Sequence, residues 1–410
     1  MIGRIVTYVR QFDNALWILS FGWVISAIGF SASIPFIAIF FHAEYGLSAS
    51  QIGMVFGVLA IARSIFQAVG GEISDRVERR KLLVIAQGVR AIAFAALVAA
   101  VAFDLGFWAV SACLLLQSVF GSVFMPAAYA MVTDILPKER HMDGYAITRS
   151  AGNLGWAVGP AIGGFLLHAH SYAALFIVSA IMTALASAVF GLFLHVKQSD
   201  KAEDRFHIRD LVAVKKDSHL AAHSTLSFLL YLVVAQLIMT FSLYSVEMVG
   251  ISQGQLGILY TLNGLMVALL QIPVTRMLRR LRMTTQLAVG ALLYAIGYSL
   301  IGFFPIFGWF AVAFIVITLG EVAMSPPSLS LTARLAPKGR MGRYMGVYGF
   351  FVASGWSLGP LYGGLVLEQF SRNYEIAWML ISSLALVSMA GYFMMARRLP
   401  AELNAGEGAT

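Results

Sequence analysis

Twelve long apolar stretches follow one another through this chain, near 14–41, 50–71, 82–103, 107–133, 145–167, 172–195, 223–246, 253–275, 285–303, 307–331, 344–367 and 376–396. Each is close to the roughly 20 residues that a helix needs to cross the hydrocarbon of a bilayer. A lone span in lipid must satisfy its own backbone hydrogen bonds, so these stretches must be helices. A closed barrel would need alternating segments of about ten residues, and the sequence has none. Composition points the same way: of 410 residues, 59% are hydrophobic and only 12% charged, against about 25% charged in an average soluble domain. A surface so poor in charge cannot be kept wet, and disordered, fibrous and disulfide-stapled classes are excluded with it. The lone Cys113 sits in an apolar run and reads as packing. The expected fold class is an all-α membrane protein with 12 transmembrane helices.

Arg4 and Arg10 precede the first apolar run, as in a signal peptide. That run exceeds the roughly 7–15 residues of a signal core, so it is expected to stay as the first span. Cationic residues then set the orientation. One set of loops holds Arg76, Arg79, Arg80 and Lys81, then Lys138 and Arg140, then Arg276, Arg279, Arg280 and Arg282, then Arg334, Lys338, Arg340 and Arg343. The middle segment adds Lys197, Lys201, Arg205, Arg209, Lys215 and Lys216, whereas the opposite loops contain Arg372 and little else that is cationic. Cytoplasmic loops carry the excess of Lys and Arg, so both termini are expected in the cytoplasm of a multi-pass inner-membrane protein. The net charge of +8 is read as this bias, not as a sign of nucleic-acid binding.

The chain also repeats itself. Gly46, Ser48, Gln51, Gly53 and Gln67 recur at Gly250, Ser252, Gln255, Gly257 and Gln271, a shift of 204. Pro126, Pro137, Lys138, Arg140 and the run GW..GP..GG from Gly155 recur at a shift of 200. Two pseudo-symmetric six-helix bundles over 1–197 and 223–410, with a cytoplasmic linker at 198–222, are the simplest reading. Secondary transporters use such a parallel repeat, with the substrate near the bilayer midplane between two rocking halves. No GxxxxGK[ST] loop is present to drive a pump with ATP.

The loop GEISDRVERRK, Gly71 to Lys81, resembles the G-x-x-x-D-R-x-G-R-[RK] signature of the major facilitator superfamily, with Glu78 in place of the second glycine. GWAVGPAIGG, Gly155 to Gly164, resembles the family's proton-antiporter signature G-x-x-x-G-P-x-x-G-G, and Arg149 and Asn153 before it look like the family's pattern there. GEVAMSPPSLSLTARLAPKGRMGRYMG, from Gly320, is similar to segments of bacterial 12-helix drug/proton antiporters and, more distantly, of peptide carriers. Two departures stand out. Gln117 occupies the place of the drug exporters' span-four arginine, four residues before Gly121, and the peptide carriers' E-x-x-E-R-F-x-Y-Y is absent from span one. The resemblance implies a conformational latch built from Gly71, Asp75, Arg76, Arg79, Arg80 and Asp134. It also implies an antiporter-type motif of Gly155, Gly159, Pro160, Gly163 and Gly164. Ordinary loop charges serving topology remain the alternative for the latch.

Glu321 is the only acid near the middle of a predicted span. A carboxylate there costs several kcal/mol, about 2.5–3.5 for Asp on translocon scales. Desolvation favours its protonated form, which suits a proton-coupling residue; a structural acid with a neighbouring partner is the alternative. Arg63 lies about 18 Å along its helix from Asp75 at 1.5 Å per residue, deep enough to meet an anionic substrate group or an acid. Arg90 is expected nearer the cytoplasm, snorkelling. Trp23, Gln117, Phe120, Gln236, Tyr244 and Asn263 complete the substrate-cavity candidates, each with plain helix packing as its alternative.

No nucleophile–base pair or metal-ligand spacing is recognisable, so the chain is read as a non-enzyme without cofactor or metal. It is expected to act as a monomer in the lipid bilayer, on a small-molecule substrate with protons as the coupling ion. The first functional reading is a secondary transporter working by alternating access that exports small amphipathic or drug-like compounds. A carrier of one specific metabolite or ion, anionic or not, is the second, and a non-transporting sensor or assembly factor the third.

Overall fold

The computed structural model describes residues 11–137, 140–169, 171–196, 217–337 and 341–406, with only the backbone at 68–76, 141–142, 168–169 and 341–342. Among the described residues, long helices fill the expected stretches. They are α1 (Asn14–Tyr45), α2 (Ala49–Arg76), α3 (Arg79–Ala102), α4 (Gly106–Ile135), α5 (His141–Ala169) and α6 (Tyr172–Phe193). The rest are α7 (Ser218–Met248), α8 (Gln253–Leu278), α9 (Met283–Phe303), α10 (Phe307–Leu335), α11 (Met341–Gln369) and α12 (Tyr374–Arg398). Of these, 11 are long and apolar enough to cross a membrane. The other, α5, has 29 residues, and Arg149 and Asn153 dilute its hydropathy.

The residues that recur at a shift of 204 mark two identical helix starts. Gly46 and Gly250 carry φ of +64° and +85°, which glycine adopts without a side-chain penalty. Gly46 N–H donates to the His42 carbonyl at 2.9 Å and ends α1, and Gly250 N–H donates to the Val246 carbonyl at 3.1 Å and ends α7. Ser48 and Gln51 then form a capping box at the start of α2. Ser48 N–H donates to Gln51 Oε1 at 2.9 Å and Gln51 N–H donates to Ser48 Oγ at 3.4 Å. Ser252 and Gln255 repeat it at α8, at 2.9 and 3.1 Å.

The helices form two compact units, Met1–Phe40 with Val58–Ala202 and Ser252–Gly264, and Phe41–Gly57 with Glu203–Ile251 and Leu265–Thr410. In the first, α3 packs on α4 and α6 around a core that includes Trp23, Phe124 and Phe190. In the second, α9 packs on α10 and α12, and α7 on α11, around Trp378, Tyr298 and Phe241. The start of α8 thus belongs with α5, and the start of α2 with α11. Glycines permit both: a methyl on Gly257 would lie 2.5 Å from the Pro160 carbonyl oxygen, and one on Gly53 2.8 Å from that of Pro360.

One span departs from the plain helix expected of it. α7 is α-helical over Ser218–Val234, tightens to a 3-10 turn at Ala235–Leu237, and ends in a π segment at Tyr244–Met248. Gln236 explains the break. Its Nε2 donates to the Leu232 and Gly359 carbonyls at 2.5 and 2.9 Å, and Thr240 Oγ1 donates to its Oε1 at 2.6 Å. A side chain that bonds the helix's own carbonyls competes with the regular ladder.

Candidate functional site

Of the latch candidates, the side chains of Gly71, Asp75 and Arg76 lie outside the described residues. Arg79, at the first position of α3, is 8% exposed and forms an ion pair with Asp134 near the end of α4. It also donates to the Ala130 carbonyl at 2.8 Å. Arg80 donates to the Phe190 and Gly191 carbonyls near the end of α6. Two adjacent arginines therefore hold the start of α3 against the C-terminal ends of two helices, where the helix dipole is negative. The repeat places Arg334 where Asp134 stands, and Arg334 donates to the Ala405 carbonyl at 2.6 Å. Asn404 in turn accepts the Thr284 N–H at 3.0 Å, so the segment after α12 closes the start of α9.

The glycine motif faces two ways. Methyls on Gly155 and Gly159 would each lie 2.8 Å from a carbonyl oxygen of α1, of Val24 and of Ile28, and one on Gly163 would overlap the Ala32 carbonyl. Gly164 instead meets the start of α8, at 2.5 Å from the Gln253 carbonyl oxygen. Gly355, Gly359 and Gly363 repeat the first set against α7, and Gly364 meets the Ala49 carbonyl at the start of α2. Glycines at i, i+4 and i+8 line one contact and the next residue another, with Pro160 and Pro360 between them.

Phe30, Arg63, Arg90 and Gly121 each sit at the midpoint of their helix, α1, α2, α3 and α4. In the other unit, Glu321 sits at the midpoint of α10. Arg90 corrects the snorkelling expectation. It is 3% exposed, and its Nη1 donates to Gln87 Oε1 at 3.1 Å and Ser26 Oγ at 3.3 Å. Gly121 leaves it room, since a methyl there would lie 3.1 Å from Arg90 Nε, an atom with no hydrogen-bond partner among the described residues. Phe30 lies beneath both cations, its ring centroid 5.4 Å from Arg90 Cζ and 5.8 Å from Arg63 Cζ. Arg63 is exposed, and among the described residues no carboxylate pairs with either arginine. Gln117, one turn before Gly121, is 3% exposed with Oε1 unpartnered among the described residues; Phe120 beside it is part-buried.

Glu321 follows Gly320, which packs against Gly290 where α9 and α10 cross. Tyr294, one turn along α9, lies within its electrostatic reach. The remaining candidates are engaged in packing. Trp23 is buried edge-on against Phe124, at 5.2 Å, and Tyr244 against Trp378, at 5.5 Å. Gln236 has both ends of its amide bonded, and Asn263 is part-buried on α8. In this structure Trp23, Gln236 and Tyr244 are packed inside their own helix bundles.

Sequence reasoning passed over Phe30 and His223. His223 is fully buried, with Nε2 3.0 Å from the Ser328 carbonyl, Nδ1 3.2 Å from the Tyr392 hydroxyl, and its ring stacked on Tyr348 at 5.0 Å. No local pattern marks either residue. Gln87 and Arg90 at i and i+3 carry a usable signal, two polar groups on one face of an apolar helix.

The model of the Major Facilitator Superfamily matches residues 19–360 and 225–409. An uncharacterized MFS-type transporter of Bacillus subtilis, YttB, is 28% identical over 94% of this chain and 96% of its own length. A Na(+), Li(+), K(+)/H(+) antiporter of Planococcus maritimus is 23% identical over 86% and 89%. The multidrug resistance protein MdtH of Edwardsiella ictaluri is 23% identical over 93% and 92%. Among solved structures, a nucleoside transporter superposes with a TM-score of 0.79 over 93% of this chain and 99% of its own, at 13% identity. A POT family transporter does so at 0.78, over 94% and 96%, at 14% identity.

Proposed function

The chain belongs to the major facilitator superfamily, and from that premise we propose that it is a secondary transporter that exports small amphipathic compounds in exchange for protons. The observation that carries this reading is Glu321, an acid at the midpoint of α10 beside the close α9–α10 crossing at Gly290 and Gly320. A carboxyl group within a span is suited to take up a proton from one side and give it to the other as water reaches it from each in turn. The relatives named for antiport and for multidrug resistance support the direction and the substrate class.

In this reading the halves 1–197 and 223–410 rock about the midplane, joined by the linker 198–222. Gly71, Asp75 and Arg76 complete a latch with Arg79, Arg80 and Asp134. The antiporter-type motif from Gly155 to Gly164 serves close helix packing. The protein acts as a monomer with both termini in the cytoplasm, as the distribution of Lys and Arg supports.

The test is flux of an amphipathic dye from proteoliposomes under an imposed pH gradient. Wild type is expected to move dye with the gradient, and Glu321→Gln to abolish gradient-driven movement while remaining folded. Undiminished flux in that variant removes Glu321 from the mechanism, and no flux of any tested solute in wild type removes transport.

A further inference from the structure

We propose that Phe30, Arg63, Arg90 and Gln117 form a subsite for the anionic group of an organic substrate, a carboxylate or phosphate attached to an apolar or aromatic body. The proposal rests on the reading of the chain as a transporter and narrows its substrate class.

Charge is the first argument. Every acid of α1 to α6 lies toward a helix end: Glu44, Glu72, Asp75, Asp134 and Asp143. Among the described residues no carboxylate pairs with Arg63 or Arg90 at their helix midpoints. Cations held at that depth cost several kcal/mol and mark binding sites and pathways when they persist. An exposed arginine at mid-span faces a wet path or a ligand, since hydrocarbon would not tolerate it.

Geometry gives the site direction. Arg90 is fixed by Ser26, Gln87 and the Phe30 ring, and its Nε, beside Gly121, is left as a donor without a partner among the described residues. A planar guanidinium presents a fork of N–H donors that matches a carboxylate or phosphate. Arg63 makes no side-chain hydrogen bond among the described residues, so it is free to close on the same anion from α2. The buried Gln117 amide, whose Oε1 has no partner among the described residues, offers one hydrogen bond more, to a hydroxyl or N–H of the substrate. Phe30 meets Trp156 edge-on at 5.8 Å, an aromatic wall for the apolar body. Depth decides the source of the anion. Lipid headgroups lie at the bilayer surface, whereas all four residues lie at or within about one turn of mid-helix, so the anion arrives as a solute.

The experiment is thermal unfolding of the purified full chain with benzoate and phenyl phosphate, against benzyl alcohol and benzylammonium. The two anions are expected to raise the unfolding temperature saturably, and the neutral and cationic analogues to leave it unchanged. Arg63→Gln loses no native hydrogen bond and is expected to weaken benzoate by about tenfold or more, with Arg63→Lys intermediate. Gly121→Ala, which keeps every charge but presses on Arg90 Nε, is expected to weaken it as well. Equal response to benzyl alcohol, or unchanged benzoate affinity in Arg63→Gln, overturns the proposal. Dye flux under a pH gradient without an anion response sinks the subsite alone. An anion response lost in Arg63→Gln with no flux keeps the subsite and sinks transport.

Discussion

Arg79 and Asp134 have side chains only 9% and 2% exposed, and each is the other's counter-charge. Removing Asp134 takes the carboxylate from the buried Arg79, which costs about 3–5 kcal/mol. Asp134→Leu is therefore expected to lower the unfolding temperature in detergent sharply, and Arg79→Met with Asp134→Leu to recover most of the loss. A double variant as unstable as the single one would show that Arg79 acts through the Ala130 carbonyl instead. That these two residues belong together is what the family resemblance implied. Arg90 was not, because its depth depends on where α3 begins: Arg79 is its first residue, which sets Arg90 at the midpoint. Its burial depends further on Gly121, a residue with no side chain to signal a contact.

Helix α11 carries glycines of two kinds. Gly364 sits against the Ala49 carbonyl of α2, whereas Gly349 has nothing within 4 Å of where a methyl would go. Gly364→Ala is expected to force the two backbones apart, destabilise by about 1–3 kcal/mol, and slow transport. Gly349→Ala is expected to be neutral or to stabilise by up to about 1 kcal/mol, since it only stiffens an exposed helix. Unfolding temperature and dye flux of the two variants check the contrast, and equal effects would overturn the assigned packing. The capping boxes make a second element-scale prediction. Ser252→Ala removes the bond from Gln255 N–H and is expected to cost about 1 kcal/mol, read as a lower unfolding temperature. Ser252→Asp, which keeps a capping oxygen at the same position, is expected to lose little. The repeated Gly, Ser and Gln of these helix starts were visible as identities in the sequence; only the structure explains them, as a left-handed stop, a cap and a close approach. The break in α7 had no such trace, because it depends on Gln236 reaching Gly359 on α11, 123 residues away.

For the whole molecule the sharpest prediction concerns sidedness. With Cys113 replaced, a single cysteine at position 104 is expected to react with an impermeant maleimide in intact cells. One at position 78 or 280 is expected to react only after permeabilisation, and the reverse pattern would overturn the orientation. The sequence by itself determined the helices, their approximate ends, the two-fold repeat and the family. These follow from hydropathy, backbone hydrogen bonding in lipid and turn chemistry, all of which act within one or two helices. It also singled out Glu321 and Arg63, because a charge in an apolar run is conspicuous wherever the run packs. Tertiary structure alone decided that Phe30, Arg63, Arg90 and Gly121 share one depth, and that α8 starts on α5 and α2 on α11. It also turned Trp23, Gln236 and Tyr244 inward. Contacts between residues far apart in sequence depend on how closely two backbones approach, and no single helix carries that distance in its own pattern.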